Sequence, residues 1–267
     1  MDGLILRAPP KLNLRLLVGP RGADGYHPLS TLLVALDGIA DEVAVRVSDR
    51  RSVACPGLEG ADNLAWRALD VLEAEVGRPL PVAVRITKRI PAQAGLGGGS
   101  SDAAATLVAV DRVRGRGLGH GALEAIASRV GSDVPFFVRA GAQWAEGRGE
   151  RLRPTAPPDF AAVLAKPTVG LSTAAVYAAF DRLPPPAVAR DTPPPGSIDA
   201  LAGWARNDLW PAALALAPGL GATARALAAA GARGVLLCGS GSCLAGLFPD
   251  RAAAEAALRR RPGPAAA

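Results

Sequence analysis

The sequence predicts an α+β fold built in two parts, residues 1–155 and residues 156–267. Some segments alternate apolar and polar residues, which is typical of half-buried strands. Others carry apolar residues at the three- and four-residue spacing of an amphipathic helix. The two kinds follow each other in mixed order along 267 residues, a length that suffices for one large domain or two small ones.

The first part predicts strands that alternate with helices. The strands are expected over 11–18, 28–36, 41–47 and 82–90. The helices are expected over 62–77, 101–113 and 121–131. Asp62 or Asn63 is the expected N-cap of the first helix, and Gly77 is its expected end. A strand and a turn over 142–154 close this part.

The second part of the sequence shows strand and helix patterns near both of its ends. These patterns predict a strand over 160–167, two strands around a glycine turn over 231–248, and a helix over 250–261. Two proline clusters, Pro184–Pro186 and Pro193–Pro195, indicate surface loops, because helical patterns resume on both sides of them. The tail 262–267 is expected to fray.

Composition restricts the class of protein. The three cysteines form no CxxC pair, which suits a reducing compartment. The N-terminal segment does not resemble a signal peptide, and no apolar run reaches the ~18 residues that span a bilayer. We therefore expect a cytoplasmic protein without a membrane partner. The net charge is +6, but the arginines are scattered and aromatic residues make up 4% of the chain, so no nucleic-acid partner is expected.

The segment "PAQAGLGGGSSDAAATL" (91–107) lies between a predicted strand and a predicted helix. A helix N-terminus offers free N–H groups and roughly half a positive charge, both of which favour phosphate. The glycines remove the side chains that would block its approach, and Ser100 and Ser101 add hydroxyl groups. The alternative is a helix entrance that Ser101 or Asp102 caps. The segment is neither a Walker A loop nor a strict GxGxxG motif, yet it predicts a phosphate site.

With its flanking segments, this stretch resembles the GHMP kinase superfamily. The matching blocks, in the superfamily's order, are "APPKLNLRLLVGPRGADGYHPLSTLL", "PAQAGLGGGSSDAA", "GSDVPFF", "KPTVGLSTAAVY" and "GSGSCLAGLF". The resemblance implies a two-lobed fold with a ribosomal-S5-domain-2-like N-terminal lobe and a ferredoxin-like C-terminal lobe. It implies an ATP- and Mg²⁺-dependent kinase. The blocks narrow the acceptor to the 2-hydroxyl of 4-diphosphocytidyl-2-C-methyl-D-erythritol, on the non-mevalonate route to isoprenoid precursors.

The resemblance also assigns the residues that serve ATP and the reaction. Asp133 corresponds to the catalytic base, and Lys11 corresponds to a lysine that would lie beside it. The residues that correspond to the ATP site are Lys88, Pro91, Ala92, Gln93, Ala94, Gly95, Leu96, Gly97, Gly98, Gly99, Ser100 and Ser101. Taken alone, Asp133 could be a turn or helix-cap residue, and Lys11 and Lys88 could be exposed lysines of strands. Ser100 and Asp102 are the candidates for a metal ligand, although the family offers no assigned one.

The acceptor residues come from the same resemblance. Tyr26 and Tyr177 would sandwich the cytosine ring, and His27 would hydrogen-bond its edge. Asn13 would lie near the erythritol, and Thr173 belongs to the same set. Without the resemblance, an edge-strand tyrosine and a turn histidine are equally good interpretations.

Two rival functions remain open at this point. One is another GHMP kinase that acts on homoserine or a sugar, and the other is an inactive nucleotide-binding sensor. A turn at 239–241 is expected to support the phosphate loop. A monomer or a weak homodimer is expected.

Overall fold

The computed structural model describes residues 3–186 and 192–260, and within them it confirms the α+β class. The strands are β1 (Gly3–Ala8), β2 (Lys11–Val18), β3 (Leu29–Ala35), β4 (Asp41–Val47), β5 (Ser52–Ala54), β6 (Val82–Thr87), β7 (Ala142–Gly147), β8 (Arg151–Pro154), β9 (Ala161–Ala165), β10 (Arg206–Asn207), β11 (Gly234–Leu237) and β12 (Leu244–Phe248). The helices are α1 (Leu64–Val76), α2 (Gly98–Val113), α3 (Gly119–Ser128), α4 (Val134–Arg139), α5 (Thr173–Phe180), α6 (Ile198–Trp204), α7 (Trp210–Leu216), α8 (Leu220–Ala229) and α9 (Arg251–Arg259).

The chain forms two compact units, each of which is discontinuous in sequence. Unit 1 comprises Met1–Lys11, Val34–Ala92 and Gly97–Arg153, and unit 2 comprises Leu12–Leu33, Gln93–Leu96 and Pro154–Ala267. The glycine-rich stretch 91–107 is therefore shared, because Gln93–Leu96 belong to unit 2 and the rest of it belongs to unit 1. The division of the family's domains at residue 155 stays a prediction.

Unit 1 contains a four-stranded sheet in the order β1-β4-β6-β5. Strand β4 is antiparallel to both β1 and β6, and β5 runs parallel to β6. One face of β6 is buried through Val82, Val84 and Ile86, as the alternation of this segment predicts. Helix α2 packs against β1 and β4 and against helices α1 and α4, so the core of unit 1 forms around α2.

Three predicted helix boundaries in unit 1 have different outcomes. Helix α1 has Asn63 as its N-cap, whose side chain accepts a hydrogen bond from the N–H of Ala65, and Gly77 ends it in the left-handed conformation. These predictions are confirmed. Helix α2 begins at Gly98 instead of residue 101. The prediction failed because glycine has a low helix propensity, yet the first turn of α2 contains two glycines.

Unit 2 contains an antiparallel sheet in the order β11-β12-β9. Its central strand β12 is buried throughout, and Phe248 and Leu244 pack with Val176 and Leu220 in the core. Strand β10 pairs in parallel with β2 and sets Asn207 opposite Leu16. The strand, glycine turn and strand predicted over 231–248 are confirmed.

The remaining predictions in unit 2 concern loops, helices and the tail. Both proline clusters lie outside helices and strands, whereas the tail 262–267 lies outside the described residues. Within the described ranges, no single helix is long and apolar enough to cross a membrane. Helices α7 and α8 taken together have the length and composition of a membrane span, but the pair is bent by 118°.

Candidate active site

Lys11 and Asp133 lie close together in unit 1. Lys11 is the first residue of β2 and is buried, and Asp133 directly precedes α4. The Lys11 Nζ lies 3.6 Å from the Asp133 Oδ2, and the two side chains are 6% and 40% exposed. Asp133 occupies the N-cap position of α4, but its side chain makes no capping hydrogen bond. The carboxylate is therefore not used as a helix cap and faces both the ammonium and solvent.

The start of α2 lies against the same lysine. Gly97 is the N-cap of α2, with a φ of 70° that favours glycine. A Cβ at this position would lie 3.0 Å from the Phe137 ring and 3.1 Å from the Lys11 Cγ. Glycine is thus required here both for its backbone conformation and for the close approach of the chain to Lys11.

The N-cap of α2 is a glycine, which has no side chain to cap the helix. Ser101 and Asp102 lie within α2 instead of before it, so the alternative in which one of them caps it is wrong. The Ser101 N–H bonds the Gly97 carbonyl, while the first N–H groups of an α-helix have no partner within the helix. The buried Ser101 Oγ has no hydrogen-bond partner among the described residues. This end of α2 retains the donors and the partial positive charge that bind anions.

Lys88 lies beside this helix start, between two buried carboxylates. Its Nζ donates hydrogen bonds to the Asp41 Oδ2 and, at 2.6 Å, to the Asp102 Oδ2. The lysine side chain is 21% exposed, and the aspartate side chains are 0% and 5% exposed. The interpretation of Lys88 as an exposed strand lysine is therefore wrong. Asp41 was not found by sequence reasoning, since only the pairing of β4 with β6 brings it to Lys88.

Burial changes the acid–base properties of this cluster. Burial raises the pKa of Asp102 to about 7, and the nearby charge of Asp41 acts in the same direction against the opposing effect of Lys88. Burial alone would lower the pKa of Lys88, but Asp102 and Asp41 outweigh burial and raise that pKa. The Asp102 Oδ2 accepts from Lys88, whereas its buried Oδ1 has no hydrogen-bond partner among the described residues, so the role of Asp102 as a magnesium ligand stays a prediction.

The first residues of the glycine-rich stretch pack on the turn between β11 and β12, within unit 2. A Cβ on Gly95 would lie 1.7 Å from the Cys238 carbonyl oxygen and 3.0 Å from the Gly241 nitrogen. The Ser242 N–H approaches the Gln93 carbonyl at 3.4 Å. The expected support of the loop by the turn at 239–241 is confirmed. Ala94 and Leu96 are buried, whereas Pro91 and Ala92 of unit 1 are exposed.

His27 is the centre of an aromatic cluster in unit 2. Its Nδ1 lies 2.8 Å from the Gly19 carbonyl oxygen, and its Nε2 lies 3.1 Å from the Asp181 Oδ1. Its ring lies 5.3 Å from the Tyr177 ring and 5.7 Å from the Phe180 ring, measured between centroids. Both ring nitrogens are thus engaged, and a bond to cytosine requires His27 to exchange one partner. Sequence reasoning missed Asp181.

The other predicted acceptor residues have different environments within unit 2. Tyr26 is 56% exposed. The buried Asn13 Nδ2 donates to the Thr31 Oγ1 at 2.8 Å. The Thr173 Oγ1 lies 2.9 Å from the Ser240 Oγ, which ties the start of α5 to the glycine turn.

A cavity of about 700 Å³ lies beside His27 in the same unit. Arg21, Phe180 and Asp181 contribute to its wall. Because His27 belongs to this wall, the cavity provides space next to one of the predicted acceptor residues.

Two family models match the sequence. The model for the GHMP kinases N terminal domain matches residues 63–141, and that for GHMP kinases C terminal matches residues 186–264. Together they cover the start of α2, the position of Asp133 and the glycine turn in unit 2.

Curated relatives match over most of the chain. A 4-diphosphocytidyl-2-C-methyl-D-erythritol kinase of Anaeromyxobacter dehalogenans (strain 2CP-C) is 44% identical over 95% of this chain and 83% of its own length. The kinase with the same name from Rhodococcus jostii (strain RHA1) is 41% identical over 96% of this chain and 86% of its own length.

Solved structures share the fold. A crystal structure of a 4-(cytidine 5'-diphospho)-2C-methyl-D-erythritol kinase matches with a TM-score of 0.76 and 38% identity over 96% of both chains. A homoserine kinase from Cytophaga hutchinsonii matches with a TM-score of 0.70 over 97% of this chain and 89% of its own. The homoserine kinase is 19% identical, so its similarity concerns the fold alone.

Proposed function

Because the chain belongs to the GHMP kinase family, we propose that it transfers the γ-phosphoryl group of ATP to the 2-hydroxyl of 4-diphosphocytidyl-2-C-methyl-D-erythritol. The products are the 2-phosphate and ADP. The relatives with this activity in their names are 41–44% identical to the chain. The reaction belongs to the non-mevalonate route to isoprenoid precursors, and we place it in the cytoplasm.

The observation that carries this proposal is the geometry of Lys11 and Asp133. In the reaction, the acceptor oxygen bonds to the γ-phosphorus, and the bond from that phosphorus to the β,γ-bridging oxygen breaks. The hydroxyl proton passes to the Asp133 carboxylate, which is accessible and does not cap α4. The buried ammonium of Lys11, 3.6 Å from that carboxylate, stabilises the negative charge on the acceptor oxygen and the transferring phosphoryl group.

The start of α2 is the proposed phosphate site. Its uncapped N-terminus offers backbone N–H donors, and the Ser101 hydroxyl lacks a partner among the described residues. Lys88 adds an ammonium next to the first helical residue, since a Cβ on Gly98 would lie 3.3 Å from its Nζ. The residues that we assign to ATP remain Lys88 and 91–101.

The cytidyl group of the acceptor is assigned to the aromatic residues of unit 2. Tyr177 already lies against His27, and offset stacking of an aromatic ring adds about 0.5–1.5 kcal/mol beyond its buried area. Tyr26 is exposed enough to cover the other side of a ring. We assign Asn13 and Thr173 to the rest of the acceptor, and Asp181 as the group that orients His27.

Magnesium enters the proposal only with the nucleotide. Mg²⁺ is bound in many kinases through substrate phosphates and water with few protein ligands. Asp102 remains a candidate ligand through its Oδ1, which has no partner among the described residues, and no step described above passes through the ion. Ser100 remains a proposed contact to the metal–nucleotide complex.

The two rivals are separated by specific observations. An inactive sensor has no need of a buried lysine next to a partly exposed carboxylate that does not cap its helix. A homoserine or sugar kinase has no need of an aromatic cluster around His27. We also propose that the chain acts as a monomer or a weak homodimer.

The test is release of ADP from ATP in the presence of each candidate acceptor. We expect turnover with 4-diphosphocytidyl-2-C-methyl-D-erythritol to exceed that with homoserine or galactose by about 100-fold or more, because a site that hydrogen-bonds a base rejects acceptors that lack it. CDP should inhibit in competition with the acceptor. Equal turnover with homoserine, or no ADP release with the cytidyl acceptor, would contradict the proposal.

A further inference from the structure

We propose that Asp41 is a positioning residue for nucleotide binding. It holds in place the Lys88 side chain and the backbone that leads into the glycine-rich stretch. Asp41 is fully buried at the start of β4. Its carboxylate accepts hydrogen bonds from Lys88, Arg89 and Ile90, so we propose that it acts through these residues. The inference rests on the proposed function, in which the phosphates bind at the start of α2.

The pairing of two strands brings Asp41 to Lys88. Strands β4 and β6 are antiparallel, and Glu42 lies opposite Thr87. One position further along each strand, Asp41 and Lys88 come to face each other. The contact therefore depends on the register of the sheet, which buried side chains of both strands fix.

The carboxylate of Asp41 makes three contacts with three consecutive residues. Its Oδ2 accepts a hydrogen bond from the Lys88 Nζ, and its Oδ1 accepts hydrogen bonds from the N–H groups of Arg89 and Ile90. Hydrogen bonds to an ionised carboxylate are shorter and stronger than neutral ones. Asp41 thus holds both the lysine side chain and the backbone just before Pro91.

Lys88 has one donor beyond its two hydrogen bonds to carboxylates. An ammonium group has three N–H donors, and among the described residues two of them bond Asp41 and Asp102. The Nζ lies 3.3 Å from where a Cβ of Gly98 would be. The ammonium is therefore next to the first turn of α2, whose N–H groups have no partner within the helix.

A purely structural role for Asp41 makes different predictions. If Asp41 only ties β4 to the end of β6, its loss lowers stability and weakens binding of both substrates alike. If it positions Lys88, its loss weakens nucleotide binding selectively. In that case the effect disappears once Lys88 itself has been removed, because residues that act through one another are not additive.

The experiment is a double-mutant cycle on nucleotide binding. The variants are Asp41→Asn, Lys88→Met and the two combined, and the measurement is the Kd for ADP by calorimetry on the full chain. Asn keeps an oxygen for the two backbone N–H groups but presents an amide to the ammonium. Asp111→Asn is the matched control, because Asp111 is also buried and accepts a backbone N–H, from Leu118, without a lysine partner.

We expect Asp41→Asn to raise the Kd for ADP about tenfold or more, and to leave the KM for the acceptor within about twofold. In the Lys88→Met background the same substitution should add less than about twofold, and Asp111→Asn should leave the Kd unchanged. An equal factor in both backgrounds overturns the proposal. So does an equal loss of affinity for both substrates.

The double variant allows the test to be carried out even if Asp41→Asn does not fold. Asp41→Asn alone leaves a partly buried lysine with one counterion fewer, which could prevent folding, whereas the double variant removes the lysine as well. If Asp41→Asn does not fold, the comparison of the double variant with Lys88→Met decides: a Kd for ADP that is the same within about twofold supports the proposal, and a larger difference overturns it.

The outcome is separable from that of the proposed function. ADP binding needs no acceptor, so a wild-type chain that binds ADP but does not phosphorylate the cytidyl acceptor contradicts the proposed function and leaves the role of Asp41 testable. A wild-type chain that binds no ADP overturns both.

Discussion

Unit 1 contains two groups of lysine and aspartate that differ in burial and in spacing. Lys88 is hydrogen-bonded to Asp41 and Asp102, and both of these carboxylates are buried. Lys11 lies 3.6 Å from Asp133, which is beyond ordinary hydrogen-bond distance, and the Asp133 side chain is 40% exposed. The same residue types thus form one closed group and one open pair.

The difference in burial and spacing suits the two groups to different tasks, the positioning of a ligand and the transfer of a proton. In the closed group the Lys88 ammonium donates hydrogen bonds to two buried carboxylates, so it is held at one place. In the open pair the carboxylate keeps room for a hydroxyl group that must give up its proton. We infer that the closed group fixes the nucleotide and that the open pair performs the transfer.

The largest expected effect concerns the open pair. Asp133→Asn should lower kcat about 1,000-fold, because a positioned general base contributes about 100- to 10,000-fold, and should leave the Kd for ADP unchanged. Turnover is measured as ADP release. Asp70→Asn is the control, because the Asp70 side chain is 51% exposed and also pairs with a cation, Arg51, at 2.6 Å. Retained turnover in Asp133→Asn would show that the base has been wrongly assigned.

The second prediction concerns the closed group and the pH dependence of stability. The pKa of Asp102 is raised from 3.8 to about 7. Between these values the unfolded chain has released the proton and the folded chain retains it, so the free energy of unfolding falls as the pH rises from about 4 to about 7. The contribution is of the order of 2–4 kcal/mol.

Urea unfolding of the wild type and of Asp102→Asn at pH 5 and pH 8 tests this prediction. The asparagine cannot titrate, so the variant should lose less stability than the wild type between the two conditions. An equal change in both proteins would mean that Asp102 is ionised across the whole range.

The third prediction returns to the open pair. Lys11→Met should lower kcat about 100-fold, because it removes a buried ammonium from beside the transferring phosphoryl group. Lys166→Met is the control, since Lys166 donates to the carbonyl of its neighbour Pro167 at 3.2 Å and has no assigned role. The measurement is kcat from steady-state rates of ADP release. An equally small loss of kcat in both variants would show that Lys11 has no part in the mechanism.

The smallest expected effect tests the approach of the backbone to Lys11. Gly97→Ala should lower kcat about tenfold, because the new methyl group would displace Lys11 or Phe137, and a small misplacement of a catalytic group is costly. Gly115→Ala is the matched control, with a φ of 59° and open space around its Cβ. Both variants carry the same backbone strain of about 1 kcal/mol. If kcat falls equally in both, the contact with Lys11 has no effect on the rate.

Local patterns predicted much of the fold. The N-cap Asn63, the end of α1 at Gly77, and the strands β4, β11 and β12 follow from short-range rules for caps, alternation and glycine turns. The start of α2 did not follow, because tertiary packing around Gly97 overrode the low helix propensity of glycine. The strand β1 was also missed, because its segment is short and mostly apolar.

The site was predictable only where a motif or a family resemblance marked it. The composition of the glycine-rich stretch predicts a phosphate site, whereas the assignments of Lys11 and Asp133 came from the resemblance. Asp41 and Asp181 carry no local signal. Asp41 depends on a strand register, and Asp181 meets His27 from 154 positions away along the chain, so both needed the fold.

A paired measurement of phosphoryl transfer and ADP affinity in Asp133→Asn and Asp41→Asn tests the division of roles most directly. We predict opposite defects: Asp133→Asn loses about 1,000-fold in single-turnover rate at saturating ATP with an unchanged Kd for ADP, and Asp41→Asn keeps most of that rate but binds ADP about tenfold more weakly. The same kind of defect in both variants, whether in rate or in affinity, would contradict the account.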